Sequence, residues 1–208
     1  MRSKKRPNKV RPSRRAALAS KVRRKAAQET SSEPILNGGR DAWIRAALEV
    51  ISSTGIQGVG VEQLARRLRI TKGSFYYHFR NRDELHAAML DDWRARMVTD
   101  IIADLERIGD PHERFRQILR LTFDDHRADR DVETAIQSWA RADGRAAAAV
   151  KEVDALRVDY IRRVLISCGI PAGRAEARAI TVLAFVRMAP QVSEQMLSQC
   201  EQLWTSAI

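Results

Sequence analysis

Apolar residues recur at intervals of three and four along most of this chain from residue 41 onward. Ile44, Ala47, Leu48 and Ile51 fall at i, i+3, i+4 and i+7, which collects them on one face of a helix. That helix is expected to run from about Asp41 to Thr54, with Gly55 placed to end it. Val61, Leu64, Ala65 and Leu68 repeat the spacing and leave Glu62, Gln63, Arg66 and Arg67 outside. After two residues a third, shorter stretch opens at Thr71, with Phe75 and Phe79 as its inward pair. Asn81 is a plausible cap for a fourth helix, whose Leu85, Met89, Trp93, Met97, Ile101 and Leu105 keep four-residue spacing over about 20 residues. Further helices are expected from Pro111 to about His126, from Asp131 to Ala142 and from Arg145 to Cys168. The last of these has Val150, Val153, Tyr160, Ile161, Val164 and Leu165 on its buried stripe and Gly169 as its stop. Pro171 starts another, and Pro190 breaks or kinks the final stretch. No segment alternates with period two, so the fold class is all-α.

The run from Thr71 to Phe79 carries the most distinctive chemistry. If Thr71 caps it, Lys72 with Tyr76, Gly73 with Tyr77, and Ser74 with His78 fall at i, i+4 on neighbouring ridges. A face with a cation, two phenols, a hydroxyl and an imidazole, and no carboxylate, suits phosphate oxygens and base edges. The run alone is equally consistent with a tyrosine-rich surface helix. Its context favours the first reading, because two short amphipathic helices joined by a tight turn form a helix-turn-helix, and helices this short need neighbours to complete a core.

Charge sharpens this picture once it is divided along the 208 residues. The net charge is +11, yet residues 1–28 alone hold twelve Lys and Arg and no carboxylate. Residues 40–82 carry eight basic against three acidic residues, and residues 83–208 carry 17 against 21. Positive charge thus sits in the tail and the segment holding the Thr71 run, while the remainder is mildly acidic. Residues 1–38, with Pro7, Pro12, Pro34 and runs such as Lys4-Lys5-Arg6, read as a disordered basic arm able to capture phosphates. No stretch approaches the roughly 18 apolar residues of a spanning helix, and the basic N-terminus lacks the apolar core of a signal peptide. A cytoplasmic protein is the expectation. Cys168 and Cys200 have no metal-ligand spacing and read as free buried thiols.

The ordered set Gly55, Val61, Leu64-Ala65, Ile70, Lys72-Gly73-Ser74-Phe75-Tyr76-Tyr77-His78-Phe79, Asn81-Arg82 and Leu85 resembles the N-terminal domain of tetracycline-repressor (TetR) family transcription regulators. The resemblance covers roughly residues 40 to 90. It implies a helix-turn-helix DNA-binding domain over 39–90 and a larger helical ligand-binding and dimerisation domain over 91–208. Thr71, Lys72, Gly73 and Tyr76 would face the major groove, with Ser74 beside them, while Tyr77, His78 and Arg82 would grip phosphates. Two departures stand out. Gly60 occupies the second helix's cap where the family has Ser or Thr, and Arg69 sits in the turn where it often has Gly. If the turn needs positive φ, Arg69 costs about 1 kcal/mol.

A head of this kind reads a short half-site, so a homodimer on a palindromic operator is expected. The candidate dimer surface is the last helix pair, with Val182, Phe185, Val186, Met196 and Trp204, since Ala179 to Val186 is apolar nearly all round. The resemblance also implies a small effector among the middle helices that releases DNA. Phe123, Trp139, Tyr160 and Arg187 are candidate contacts, as amphipathic rings and a lone cation on apolar helices. No cofactor, metal site or catalytic residue is expected, because no phosphate loop, metal constellation or activated nucleophile is present. The alternatives are a packaging protein that works through the basic tail and, further off, an all-α enzyme.

Overall fold

The structure is a computed structural model that describes residues 39–123 and 127–188, apart from the side chains of residues 122–130, 186 and 188. The described residues form helices and no strand, in the order α1 (Arg40–Thr54), a 3-10 turn (Ile56–Gly58), α2 (Val61–Leu68), α3 (Lys72–His78), α4 (Arg82–Arg94), a π-helical segment (Ala95–Asp100), α5 (Ile101–Glu106), α6 (Pro111–Phe123), α7 (Arg127–Ala140), α8 (Gly144–Ser167) and α9 (Ala172–Met188). Among the described residues no helix is long and apolar enough to cross a membrane.

The glycine and side-chain stops act as their chemistry dictates. Gly55 ends α1 at φ 71°, and its N–H bonds the Ile51 carbonyl at 2.9 Å. Gly169 follows α8 at φ 89°. Asp143 begins α8 by accepting the N–H groups of Arg145 and Ala146, at 2.8 and 3.2 Å, which pairs two of the donors a helix start leaves open.

Two clusters of buried side chains organise the chain. The first joins Trp43 and Ile51 of α1, Leu64 of α2, Phe75 and Phe79 around α3, and Leu85, Met89 and Trp93 of α4 to Ile136 and Trp139 of α7 and Ala146 and Val153 of α8. The second joins Leu105, Phe115 and Leu119 to Tyr160, Val164 and Leu165 of α8 and Ala175, Ala179 and Val182 of α9. Helix α8 therefore runs through both cores. So does the rod made of α4, the π segment and α5, which contributes Leu85 to one and Leu105 to the other. The π segment has a sequence cause. A four-residue spacing overshoots a 3.6-residue turn, so the stripe from Leu85 to Leu105 creeps round a regular helix; a wider turn with i→i+5 bonding takes back part of that creep.

Candidate nucleic-acid interface

Helix α2 ends in a tight reversal. Arg69 adopts the left-handed conformation at φ 57°, ψ 40°, while the Arg69 and Ile70 N–H groups bond the carbonyls of Arg66 and Ala65 at 3.2 and 3.0 Å. The turn thus requires positive φ, and arginine adopts it at the cost expected of a side chain bearing Cβ. Thr71 then holds the N-cap position of α3 in extended conformation. Its carbonyl accepts the Ser74 N–H at 3.1 Å, but its hydroxyl makes no cap bond. Gly60 caps α2 likewise without a side-chain bond.

Seven residues do not make a stable helix alone, so α3 is fixed from beneath. Phe75 and Phe79 are buried and stack at 5.3 Å, and the Trp43 ring meets Phe75 edge-on at 5.2 Å. The Arg40 guanidinium lies 5.1 Å over the Phe79 ring. After α3 the chain enters α4 through Asn81, whose side-chain oxygen accepts the Glu84 N–H at 2.9 Å. The Glu84 carboxylate reaches back to the Arg80 N–H at 2.8 Å, and that bond is the main reason its pKa lies below the ordinary value.

With the aromatic pair anchored, the opposite face is presented outward. Tyr76 is 63% and Tyr77 86% exposed; Thr71, Lys72, Gly73 and Arg82 are also exposed, while Ser74 and His78 are half-buried. The Tyr77 and His78 rings meet edge-on at 5.0 Å. A Cβ built on Gly73 would touch only the Thr71 hydroxyl, at 3.6 Å, so the space above it is open. The eight residues singled out from the sequence therefore lie together on α3 and the start of α4. A residue of α2 joins them: Glu62 pairs with the Lys72 ammonium, which holds the Glu62 carboxyl below its usual range. Its α2 position outside the apolar stripe was legible, but its reach to Lys72 was not.

Of the candidate ligand contacts, Trp139 and Tyr160 fall in different cores. Trp139 packs in the first core, edge-on to His86 at 5.2 Å. Tyr160 is buried in the second core; burial and then the nearby Glu106 carboxylate push its hydroxyl up to about 12. Arg187 is not a lone cation, because its guanidinium bonds Asp154 of α8. Its partner lies 33 residues away in sequence, beyond the reach of helical spacing. The Phe123 side chain lies outside the described residues.

One of the dimer candidates needs correction. Val182 is fully buried in this chain's own second core, so it has no surface to offer a second copy. The apolar run has an inner face of Ala179, Val182 and Leu183, and an outer one on which Ile180 is 52% exposed. Phe185 is half-buried. The Val186 side chain, Met196, Trp204, Cys200, Pro190 and the arm over 1–38 lie outside the described residues. Cys168 is half-buried, and burial pushes its thiol pKa up. No group of three or more metal-ligating side chains occurs among the described residues.

Comparison with known proteins agrees with this geometry. Residues 44–89, which hold the whole α2–turn–α3 unit, match the family described as bacterial regulatory proteins, tetR family. The HTH-type transcriptional regulator BetI of Rhizobium meliloti is 26% identical over 125 residues, or 60% of each chain. The tetracycline repressor protein class C of Escherichia coli is 36% identical over 27% of this chain and 33% of its own. The chain thus spans less than two thirds of these curated relatives. Solved structures extend the likeness of fold: a transcriptional regulator from Rhodococcus sp. Rha1 superposes with a TM-score of 0.64 at 20% identity, over 82% of this chain and 95% of that one. A putative regulator from Saccharomonospora viridis, solved in complex with choline, does so with a TM-score of 0.69 at 15% identity, over 80% and 95%. The helix-turn-helix segment over 44–89 is thus that of the tetR family of bacterial regulatory proteins, and the helical body shares the fold of solved transcriptional regulators.

Proposed function

We propose that this protein is a homodimeric transcriptional repressor that binds a palindromic operator through α3 and is released by a small ligand. The observation that carries the reading is the exposed face of α3. Lys72, Gly73, Tyr76 and Tyr77 stand on a helix locked from below by Phe75 and Phe79. A rigid anchor under a free polar face is what groove readout needs, since the reading side chains must not spend binding energy on being ordered. In this reading Thr71, Lys72, Gly73 and Tyr76 meet base edges, with Ser74 beside them, and Tyr77, His78 and Arg82 hold phosphates.

Dimerisation is supported by large apolar side chains left open on α8 and α9, namely Leu156, Ile166 and Ile180. Ligand control is supported by the Saccharomonospora viridis regulator solved in complex with choline, a case of this fold holding a small molecule. The rod and α8 run through both cores, so a change in the second core has a mechanical route to the first.

Selection of bound duplexes from a random pool by the full chain, with molar mass measured in parallel, tests the reading. The expected result is one palindromic site bound by two copies. Equal binding of all duplexes with a steep salt dependence would instead favour a packaging role driven by the basic residues of 1–28.

A further inference from the structure

The start of α4 meets the 3-10 turn and the corner between α7 and α8 around a cleft of about 490 Å3, a volume in the small-molecule range. His86 lines it and is only 7% exposed, and its Nε2 is buried with no hydrogen-bond partner. Among the described residues it is one of five buried side-chain polar atoms left unpaired, with those of Trp43, Trp93, Tyr160 and Arg178, and of these residues His86 alone lines this cleft. The Trp139 ring, edge-on to the imidazole, fixes its plane.

The polar groups of the cleft divide unevenly. The acceptors are in use: Asp143 caps α8 with one oxygen, and its other oxygen and Asp83 share the Arg145 guanidinium at 3.3 and 3.1 Å. The donors are not. Arg82 has no carboxylate partner among the described residues, and Asn81 spends its carbonyl oxygen on the Glu84 N–H while its amide NH2 has no partner there. The charged groups facing His86 are Arg82 and Asp83 from α4 and Asp143 and Arg145 from the start of α8. Burial first, then the two guanidiniums, outweigh the two carboxylates and hold the imidazole below its ordinary pKa. Ile56 and Ala142 add apolar wall beside Trp139.

We propose that this cleft is a binding site for a small amphipathic carboxylate, with the carboxylate taken by Arg82 and the Asn81 amide beside the buried His86 imidazole, and a compact apolar body against Ile56 and Trp139. The site is separate from any chamber in the second core. An anion beside His86 favours the imidazolium, so binding takes up a proton and strengthens as pH falls. A further consequence rests on the DNA-binding reading above: a carboxylate on Arg82 removes one phosphate contact, so occupancy weakens DNA binding without changing sequence preference.

Titration calorimetry on the full chain, with benzoate as the probe and benzamide as its neutral analogue, tests the site. Benzoate is expected to bind at least about tenfold more tightly than benzamide, and to tighten with proton uptake between about pH 7.5 and pH 6. Arg82→Gln and His86→Phe should each weaken benzoate about tenfold or more while melting cooperatively. Arg82 is exposed, so its variant carries the test even if His86→Phe does not fold. Equal binding of the two probes, no binding of benzoate, or unchanged binding in a folded Arg82→Gln overturns the proposal. If benzoate binds as expected but does not compete with duplex DNA, the site stands and the phosphate role of Arg82 falls.

Discussion

Lys72 and Arg82 at the helix-turn-helix and Arg157 and Arg187 in the body are all basic residues on short-period helices, yet the fold treats them in opposite ways. Lys72 pairs with Glu62 where both side chains are open to solvent, and Arg82 has no carboxylate partner among the described residues. Arg157 instead clamps Glu133 of α7 at 2.7 Å with side chains only 15% and 18% exposed, and Arg187 is held by Asp154. In the proposed reading, charge that meets DNA is kept hydrated and loosely held, because any partner it has must be given up on binding. Charge that closes a helix interface is desolvated and matched, because an unmatched one there is costly.

The largest expected effect tests the second half of that contrast. Burial works to raise the Glu133 carboxyl, but Arg157, with Arg187 and Gln137 behind it, outweighs burial and holds it below the usual range. Arg157→Met strands that carboxylate and should cost about 3 kcal/mol, a fall in Tm of roughly 6–12 °C. Adding Glu133→Leu should restore most of it. Because the folded pKa of Glu133 is depressed, the pair's contribution is complete above the carboxyl's ordinary 4.5 and is lost as pH falls through the lower folded value. Lys72→Met, at a fully exposed pair, should leave stability nearly unchanged. Equal costs at the two sites, measured by chemical denaturation, would break the comparison.

Next in size are changes to the reading face. Tyr76→Ala should reduce discrimination between operator and random duplex by about 10- to 100-fold with the melting temperature held, since the ring is exposed. Gly73→Ala separates folding from recognition more cleanly. The added methyl meets only the Thr71 hydroxyl in the free protein, so stability should hold or rise by up to about 1 kcal/mol, while operator affinity falls because the backbone can no longer approach the groove. If Gly73→Ala binds the operator as the parent does, α3 does not press its N-terminal turn against DNA.

Why α3 could be read from the sequence and the body could not follows from the range of the interactions. Phe75, Phe79 and the exposed tyrosines are related by helical spacing within nine residues, so their faces are dictated locally. The helix ends at Gly55 and Gly169 are likewise local matters of positive φ. By contrast, whether Arg187 is free depends on Asp154 of another helix, and whether Val182 faces outward depends on how α9 lies against α8. Periodicity states that a face is apolar, not what covers it. The His86 cleft was hidden for the same reason: its walls come from the 3-10 turn, α4, α7 and α8. The π segment is intermediate, since the four-residue spacing that calls for it was visible but was read as a regular helix.

Arg69 offers a smaller effect at the turn between the two recognition elements. It holds φ 57° with a Cβ, so Arg69→Gly should stabilise the fold by roughly 1 kcal/mol, or about 2–4 °C in Tm. The same change removes a cation beside α3. If Arg69 touches a phosphate, overall affinity for duplex falls and the salt slope drops by about one. A stabilised variant with an unchanged slope would show that arginine is tolerated in the turn without serving DNA binding.

The smallest effect bears on the loosely held half of the comparison. Glu62 and Lys72 are both exposed, and Lys72, by hydrogen bond and then by charge, lowers the Glu62 carboxyl pKa, so the pair is intact at neutral pH. A phosphate or base edge approaching Lys72 must compete with that carboxylate and meets its repulsion as well. Glu62→Gln removes both, and should raise affinity for any duplex by a few-fold, about 2–5 times, at low salt. The gain should shrink as ionic strength shortens the screening length to about 8–10 Å, and operator preference should be unchanged, because the Glu62 carboxylate repels the phosphate backbone of every duplex alike. The opposite result would be equally instructive. If Glu62→Gln weakens operator binding while random duplex is bound as before, the carboxylate acts as a guide that aims Lys72 at a base, and the exposed pair belongs to the reading machinery.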